Sequence, residues 1–218
     1  MKKLTEEQLK KQITFRTHQS HLIDYFQSSV FVPLVEIDGE YHLVFEKRAE
    51  TIRQGGEICF PGGKIDSTDE SPQLAAIRET CEELGCRPEE IEILGNLDTL
   101  IMPTGMLVHT YVGLLQASLE ELTISADEVE KVFTVPVAFF LENEPKEYQC
   151  QVLVHPYIID PKTGEKEILL PVEELGLPQH YQEPWGVGQH QLLFYQTEEL
   201  IWGLTAKIVA NFVHEIKQ

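Results

Sequence analysis

Basic residues are scarce in this chain. Seventeen Lys and Arg stand against 36 Asp and Glu, a formal charge of −19 at pH 7. A field of that sign repels nucleic-acid backbones and anionic lipid, so neither is expected to bind unaided. Long apolar runs are missing too: none approaches the ~18 residues that a membrane span needs. The four cysteines, Cys59, Cys81, Cys86 and Cys150, form no C-x-x-C pair. That argues against structural zinc and a disulfide framework, and for a reduced, cytoplasmic protein. With no internal repeat, low-complexity tract or linker-like stretch, residues 1–218 are read as a single domain.

The opening Met1-Lys2-Lys3-Leu4 lacks the apolar segment of a secretory signal. It reads as the start of a helix over about 5–25, with Thr5 and Gln8 at capping-box spacing and Leu4 and Leu9 placed as a staple. A strand-like run over 29–37 is followed by Asp38-Gly39, a hairpin signal, and a returning strand over 41–47. Further strand-like runs fall near 91–101, 107–116, 146–155 and 190–196, and the run at 132–137 leads into a short helix. The last element, about 198–216, carries Ile201, Leu204, Ile208, Phe212 and Ile216 at helical spacing. Gly203 inside it costs about 1 kcal/mol relative to Ala, and is read as a mark of close backbone packing. Strands and helices without regular βαβ alternation predict an α/β sheet covered by helices.

The chemistry is concentrated between Phe60 and Cys86. Ser71-Pro72 supplies a helix start and Gly85 a stop, predicting a helix over 72–84. Leu74, Ile77, Cys81 and Leu84 form its expected buried stripe, and Glu79, Glu82 and Glu83 share the opposite, acidic side. Two carboxylates ~6 Å apart repel by roughly 3 kcal/mol at an effective dielectric of ~20. Bound Mg²⁺ or Mn²⁺ reverses that cost, because hard cations take carboxylate oxygens. Adjacent glutamates on an arbitrary helix are usually a solvated face. Here they follow a two-glycine turn, Gly62-Gly63, and Arg78 stands four residues before Glu82. That context favours a metal site.

This segment resembles the Nudix box, placed at 63–86, with Gly63, Arg78, Glu79, Glu82, Glu83 and Gly85 matching in order. One residue is extra in the loop, so the box's first acid is either Asp69 or Glu70. Thr80 and Cys86 stand where larger aliphatics are usual. Arg48-Ala-Glu-Thr-Ile-Arg-Gln-Gly-Gly-Glu-Ile-Cys-Phe-Pro-Gly-Gly63 is similar to the signature that precedes the box in coenzyme A pyrophosphatases, although the spacing after Arg53 is one residue short. Asp66 and Asp69, the stretch 127–136 and the stretch 201–206 look like other parts of that branch.

The resemblance implies a Nudix-type α/β/α sandwich with a mixed sheet between helices. It also implies a hydrolase that cleaves coenzyme A or acyl-coenzyme A at the diphosphate, giving 3',5'-ADP and 4'-phosphopantetheine or its acyl derivative. Glu79 and Glu83 would be the primary ligands of Mg²⁺ or Mn²⁺, with Glu82 a further ligand or a bridge through water. Arg78 would orient these carboxylates, and Gly62 and Gly63 would let the backbone pass close to metal and phosphates. Arg48, Arg53 and Lys64 could offset phosphate charge. The expected partner is a small nucleotide substrate, and a homodimer is left open. ADP-ribose or another nucleoside diphosphate linked to a second group is the alternative substrate, and a non-catalytic ligand-sensing Nudix module the alternative class. The general base is not identified; His190 and Glu183 are candidates, and His18 and His21 read as solvated.

Overall fold

The computed structural model describes residues 25–218. The helix expected over about 5–25, with His18 and His21, lies outside the described residues apart from Tyr25. The Asp38-Gly39 turn joins β1 (Phe26–Ile37) to β2 (Glu40–Arg48), with Ile37 opposite Glu40. β1 also runs parallel to β7 (Met106–Leu115), pairing from Phe26↔Met106 to Leu34↔Leu114. The short strands β3 (Ile58–Cys59) and β4 (Gly62–Lys64) pair with β2 and β1. β5 (Ile91–Asn96) and β6 (Leu100–Met102) flank β7, and β8 (Val129–Pro136) flanks β2, completing a mixed eight-stranded sheet. A second sheet joins β9 (Lys146–Val154), β12 (Trp185–Gln196) and β13 (Leu200–Trp202), while β10 (Tyr157–Ile159) and β11 (Lys166–Ile168) form a hairpin.

Strand alternation gives the large sheet two apolar faces. Val32, Leu34, Leu43 and Phe45 point to one side, where they cluster with Phe140 of α2 (Val137–Glu142) and Ile208, Val209 and Phe212 of α3 (Gly203–Ile216). Phe60 stacks on Phe45 there at 4.7 Å between ring centres. Val35, Val44 and Leu115 point the other way and cluster with Leu84 of α1 (Pro72–Leu84). Helices therefore cover both faces, and the fold is the expected α/β/α sandwich.

Two expectations need correction. The final helix begins at Gly203, not near 198, because Leu200–Trp202 pair with Phe194–Gln196 as a strand. Gly203 has φ +62°, and a Cβ built there would meet nothing within 4 Å. It serves the left-handed turn between strand and helix, not close packing. The buried side of α1 also differs from the expected stripe. It is Ala75, Ala76, Thr80, Glu83 and Leu84, whereas Leu74 is 43% exposed and Ile77 and Cys81 are half-buried. Seating the helix low over β4 and β1 favours small side chains beneath it, and Leu74, Ile77 and Cys81 instead line an open groove with Pro88.

This placement makes opposite demands on neighbouring residues. Ala76→Leu should overpack the seat and cost about 1–3 kcal/mol. Leu74→Gln should change stability by less than about 0.5 kcal/mol. Urea midpoints of the two variants check this, and a Leu74 cost exceeding the Ala76 cost would restore the stripe read from the sequence.

Candidate active site

Both ends of α1 are fixed locally. Ser71 Oγ accepts from the Leu74 N–H at 3.2 Å with Pro72 in the first turn. At the other end Gly85 adopts φ +69° and returns its N–H to Cys81 O at 3.0 Å. Between these caps Glu79 and Glu83 lie one turn apart on the side that meets β4. The Gly62 N–H donates to Glu83 Oε2 at 2.8 Å. A Cβ at Gly63 would come within 2.6 Å of both Glu79 carboxylate oxygens, so no larger residue fits without displacing that carboxylate. The turn and the acidic helix are thus in direct contact.

Arg78 ties the loop to the helix. Its Nε and Nη2 donate to Asp69 Oδ1 and Oδ2 at 3.0 and 2.9 Å, a bidentate fork. Nη1 donates to Glu79 Oε1 at 2.9 Å and to Glu82 Oε2 at 3.1 Å, while Nη2 also reaches Lys64 O at 3.2 Å. Asp69, not the exposed Glu70, therefore takes the loop acid's place. The Arg78 hydrogen bonds hold the Asp69 carboxyl below its ordinary range. Glu82 does not join the inner pair: its side chain is 57% exposed on the outer flank.

The inner carboxylates have two companions that the sequence did not single out. Val44 packs under Leu84, and two residues along β2 Glu46 occupies the same face, only 1% exposed. The Cys59 thiol donates to Glu46 Oε1 at 3.1 Å, and Oε2 has no partner among the described residues. Glu128, whose carbonyl accepts from the Ala49 N–H at 2.8 Å, is close enough to disfavour charge on Glu46, Glu79 and Glu83. A signal for Glu46 was present: it follows Leu43-Val44-Phe45 as a charged residue inside a buried strand. Glu128 gave none.

Burial, then repulsion from Glu46, pushes the Glu83 carboxyl up to about 9 against the opposing Gly62 hydrogen bond. Burial likewise pushes Glu46 up to about 7, opposed by the Cys59 thiol and Arg48. Glu79 is raised by burial and lowered in part by Arg78. Among the described residues no three His, Cys, Asp or Glu side chains converge as a ready chelate. The donor set still suits a hard divalent cation in kind, because it offers buried carboxylates and the unpartnered Glu46 Oε2.

The basic candidates stand apart from this group. Arg48 Nε donates to Arg53 O at 3.3 Å, inside a loop closed by Gly56 N–H to Arg48 O at 2.9 Å. Arg53 is exposed on that loop, and Lys64 is exposed with Nζ 3.9 Å from Asp66. His190 stands opposite Cys150 in the second sheet, and Glu183 accepts from the Tyr157 hydroxyl at 3.4 Å. Neither makes a hydrogen bond or ion pair with the carboxylate group.

Comparison with known proteins places these features. The peroxisomal coenzyme A diphosphatase of Mus musculus is 36% identical over 157 residues, covering 68% of this chain and 65% of the relative. Nudix hydrolase 3 of Caenorhabditis elegans is 39% identical over 113 residues, covering 50% and 47%. The chain thus spans about two thirds or less of these relatives' own lengths. A MutT/nudix family protein of Enterococcus faecalis, of known structure, is 15% identical with a TM-score of 0.48, covering 95% of this chain and 67% of that one. The NUDIX domain profile matches residues 25–151, which takes in the glycine turn, the arginine fork and the acidic helix, and on that match the chain belongs to the Nudix family.

Proposed function

We propose that this chain is a divalent-metal-dependent pyrophosphohydrolase that cleaves coenzyme A or acyl-coenzyme A at the diphosphate. The observation that carries the reading is the contact of the Gly62-Gly63 turn with Glu79 and Glu83. That contact gathers carboxylates at a cost which a cation offsets, beside a backbone bare enough for phosphate to approach. Glu79 and Glu83 would hold Mg²⁺ or Mn²⁺, with Glu82 at the outer edge. Bound there, the cation would activate water and neutralise charge on the diphosphate. The Gly62 N–H fixes the direction of Glu83. Arg78 anchors Glu79 to the Asp69 loop and is spent on protein contacts, so it orients and does not bind substrate. The substrate assignment rests on similarity to the mouse coenzyme A diphosphatase and on the stretch Arg48–Gly63. The four unpaired thiols support a reducing compartment, which we take to be the cytoplasm.

Coenzyme A carries a 3'-phosphate that ADP-ribose lacks, and an arginine fork suits it. Arg48 is already engaged with its own loop, which leaves the exposed Arg53 as the leading donor. A panel of diphosphates with Mg²⁺ or Mn²⁺ should show coenzyme A ahead of its 3'-dephospho form. Arg53→Ala should narrow that preference by about ten- to a hundredfold, the worth of one charge-assisted contact. Faster cleavage of ADP-ribose would move the chain to that substrate class, and tight binding without turnover would make it a sensor.

Glu83→Gln keeps an acceptor for the Gly62 N–H but removes the charge, so turnover should fall by orders of magnitude while the fold persists. The pH dependence follows from the same groups. Glu46 and Glu83 hold protons more tightly folded than unfolded, so their contribution is full below the ordinary value of 4.5 and is lost as pH rises through about 7 and about 9. Without metal, the melting temperature of the wild type should therefore fall across pH 5–9, and Glu83→Gln should flatten the decline. Added Mg²⁺ should restore stability more strongly at high pH than at low pH. A metal effect independent of pH, or full turnover in Glu83→Gln, would remove Glu83 from the metal site.

A further inference from the structure

Among the described residues Glu46 is the one carboxylate with a buried oxygen that has no hydrogen-bond partner. It lies on the α1 face of β2, 1% exposed, in a run whose neighbours Leu43, Val44 and Phe45 are fully buried. Only one of its oxygens is served, by the Cys59 thiol directly opposite in the β2–β3 register. Oε2 is buried with no partner among the described residues. Protonation would remove the charge of Glu46, and it is the alternative that the Mn²⁺ titration below separates from metal ligation. Buried polar groups are almost always paired, so an orphan of this kind calls for a missing ligand.

Its surroundings narrow what that ligand is. Glu79 and Glu128 disfavour charge on Glu46, Glu128 disfavours it on Glu79, and Glu46, Glu79 and Glu128 all disfavour it on Glu83. A water molecule could donate to Oε2 but would leave four carboxylates repelling one another. A divalent cation both coordinates the oxygen and offsets the repulsion.

We infer that Glu46, from outside the acidic helix, is a further ligand of the divalent cation held by Glu79 and Glu83, with Cys59 as the positioning residue that leaves Oε2 to face the ion. This rests on the metal reading above. The sheet thus contributes a ligand of its own to a site otherwise drawn from one helix. Cys59 acts through Glu46 alone: its hydrogen bond occupies Oε1 and so selects which oxygen is offered.

Titration of the purified protein with Mn²⁺, following the free ion by its electron paramagnetic resonance signal, tests this without recourse to turnover. The wild type should bind Mn²⁺, and Glu46→Gln should bind it at least about tenfold more weakly. Its metal-free melting temperature at pH 8 should match or exceed that of the wild type, because a buried charge is gone. Cys59→Ala should weaken Mn²⁺ binding by about tenfold, as loss of a supporting hydrogen bond to a ligand does, and Cys59→Ser, which restores a donor, should recover most of it. Glu46→Gln binding within twofold of wild type would overturn the inference and make Glu46 a protonated structural group. If that variant does not fold, equal affinities for Cys59→Ala and wild type would overturn it instead. Failure of the wild type to bind Mn²⁺ at all would sink the metal reading itself, a result separable from the other two.

Discussion

The Gly62 N–H donates to Glu83 Oε2 at 2.8 Å, joining a two-glycine turn of the sheet to the middle of an acidic helix. Much of the site's geometry follows from that contact. It requires α1 to sit low over β4, so its inner side is Ala75, Ala76 and Thr80 where larger apolar residues would hold it away. The low seat brings Glu79 onto Gly63 and sets Glu83 on the same side of the sheet as Glu46. A Cβ at Gly62 would approach Val30 Cα to 2.7 Å, so the turn is closed from below by β1 as well as from above by the helix.

That arrangement concentrates negative charge in a protein with an excess of it. Burial is the largest cause raising Glu46, Glu79 and Glu83, and mutual repulsion adds to it. Arg78 relieves only the loop side, where it satisfies Asp69, Glu79 and Glu82 at once. Glu46 and Glu83 have no such cation among the hydrogen bonds and ion pairs of the described residues. If these carboxylates hold a divalent ion as proposed, its binding would be coupled to the protonation of the group.

Much of this was legible in the sequence because it depends on local chemistry. Ser71-Pro72 and Gly85 marked the helix ends, Asp38-Gly39 marked the hairpin, and the order Gly63, Arg78, Glu79, Glu82, Glu83 marked the acidic helix. What depends on contacts between distant segments was not legible. Helical spacing made Leu74, Ile77 and Cys81 look buried, but the surface beneath α1 admits small residues, and this is set by a turn earlier in the chain. Ile201 fitted helical spacing and proved to be a strand residue, because Gly203 breaks the backbone path after it. The choice between Asp69 and Glu70 needed the reach of Arg78. Glu46 entered the site only through the pairing of β2 with β3 and the seat of α1.

We propose that this carboxylate group is a cation site assembled against the glycine turn. Calorimetric titration of Mn²⁺ at pH 7, repeated in two buffers of different ionisation enthalpy, tests it most directly because it reads binding and proton release together. The account predicts saturable binding with net release of protons from the raised carboxyls. Absence of binding, or binding with the same heat in both buffers, would contradict it.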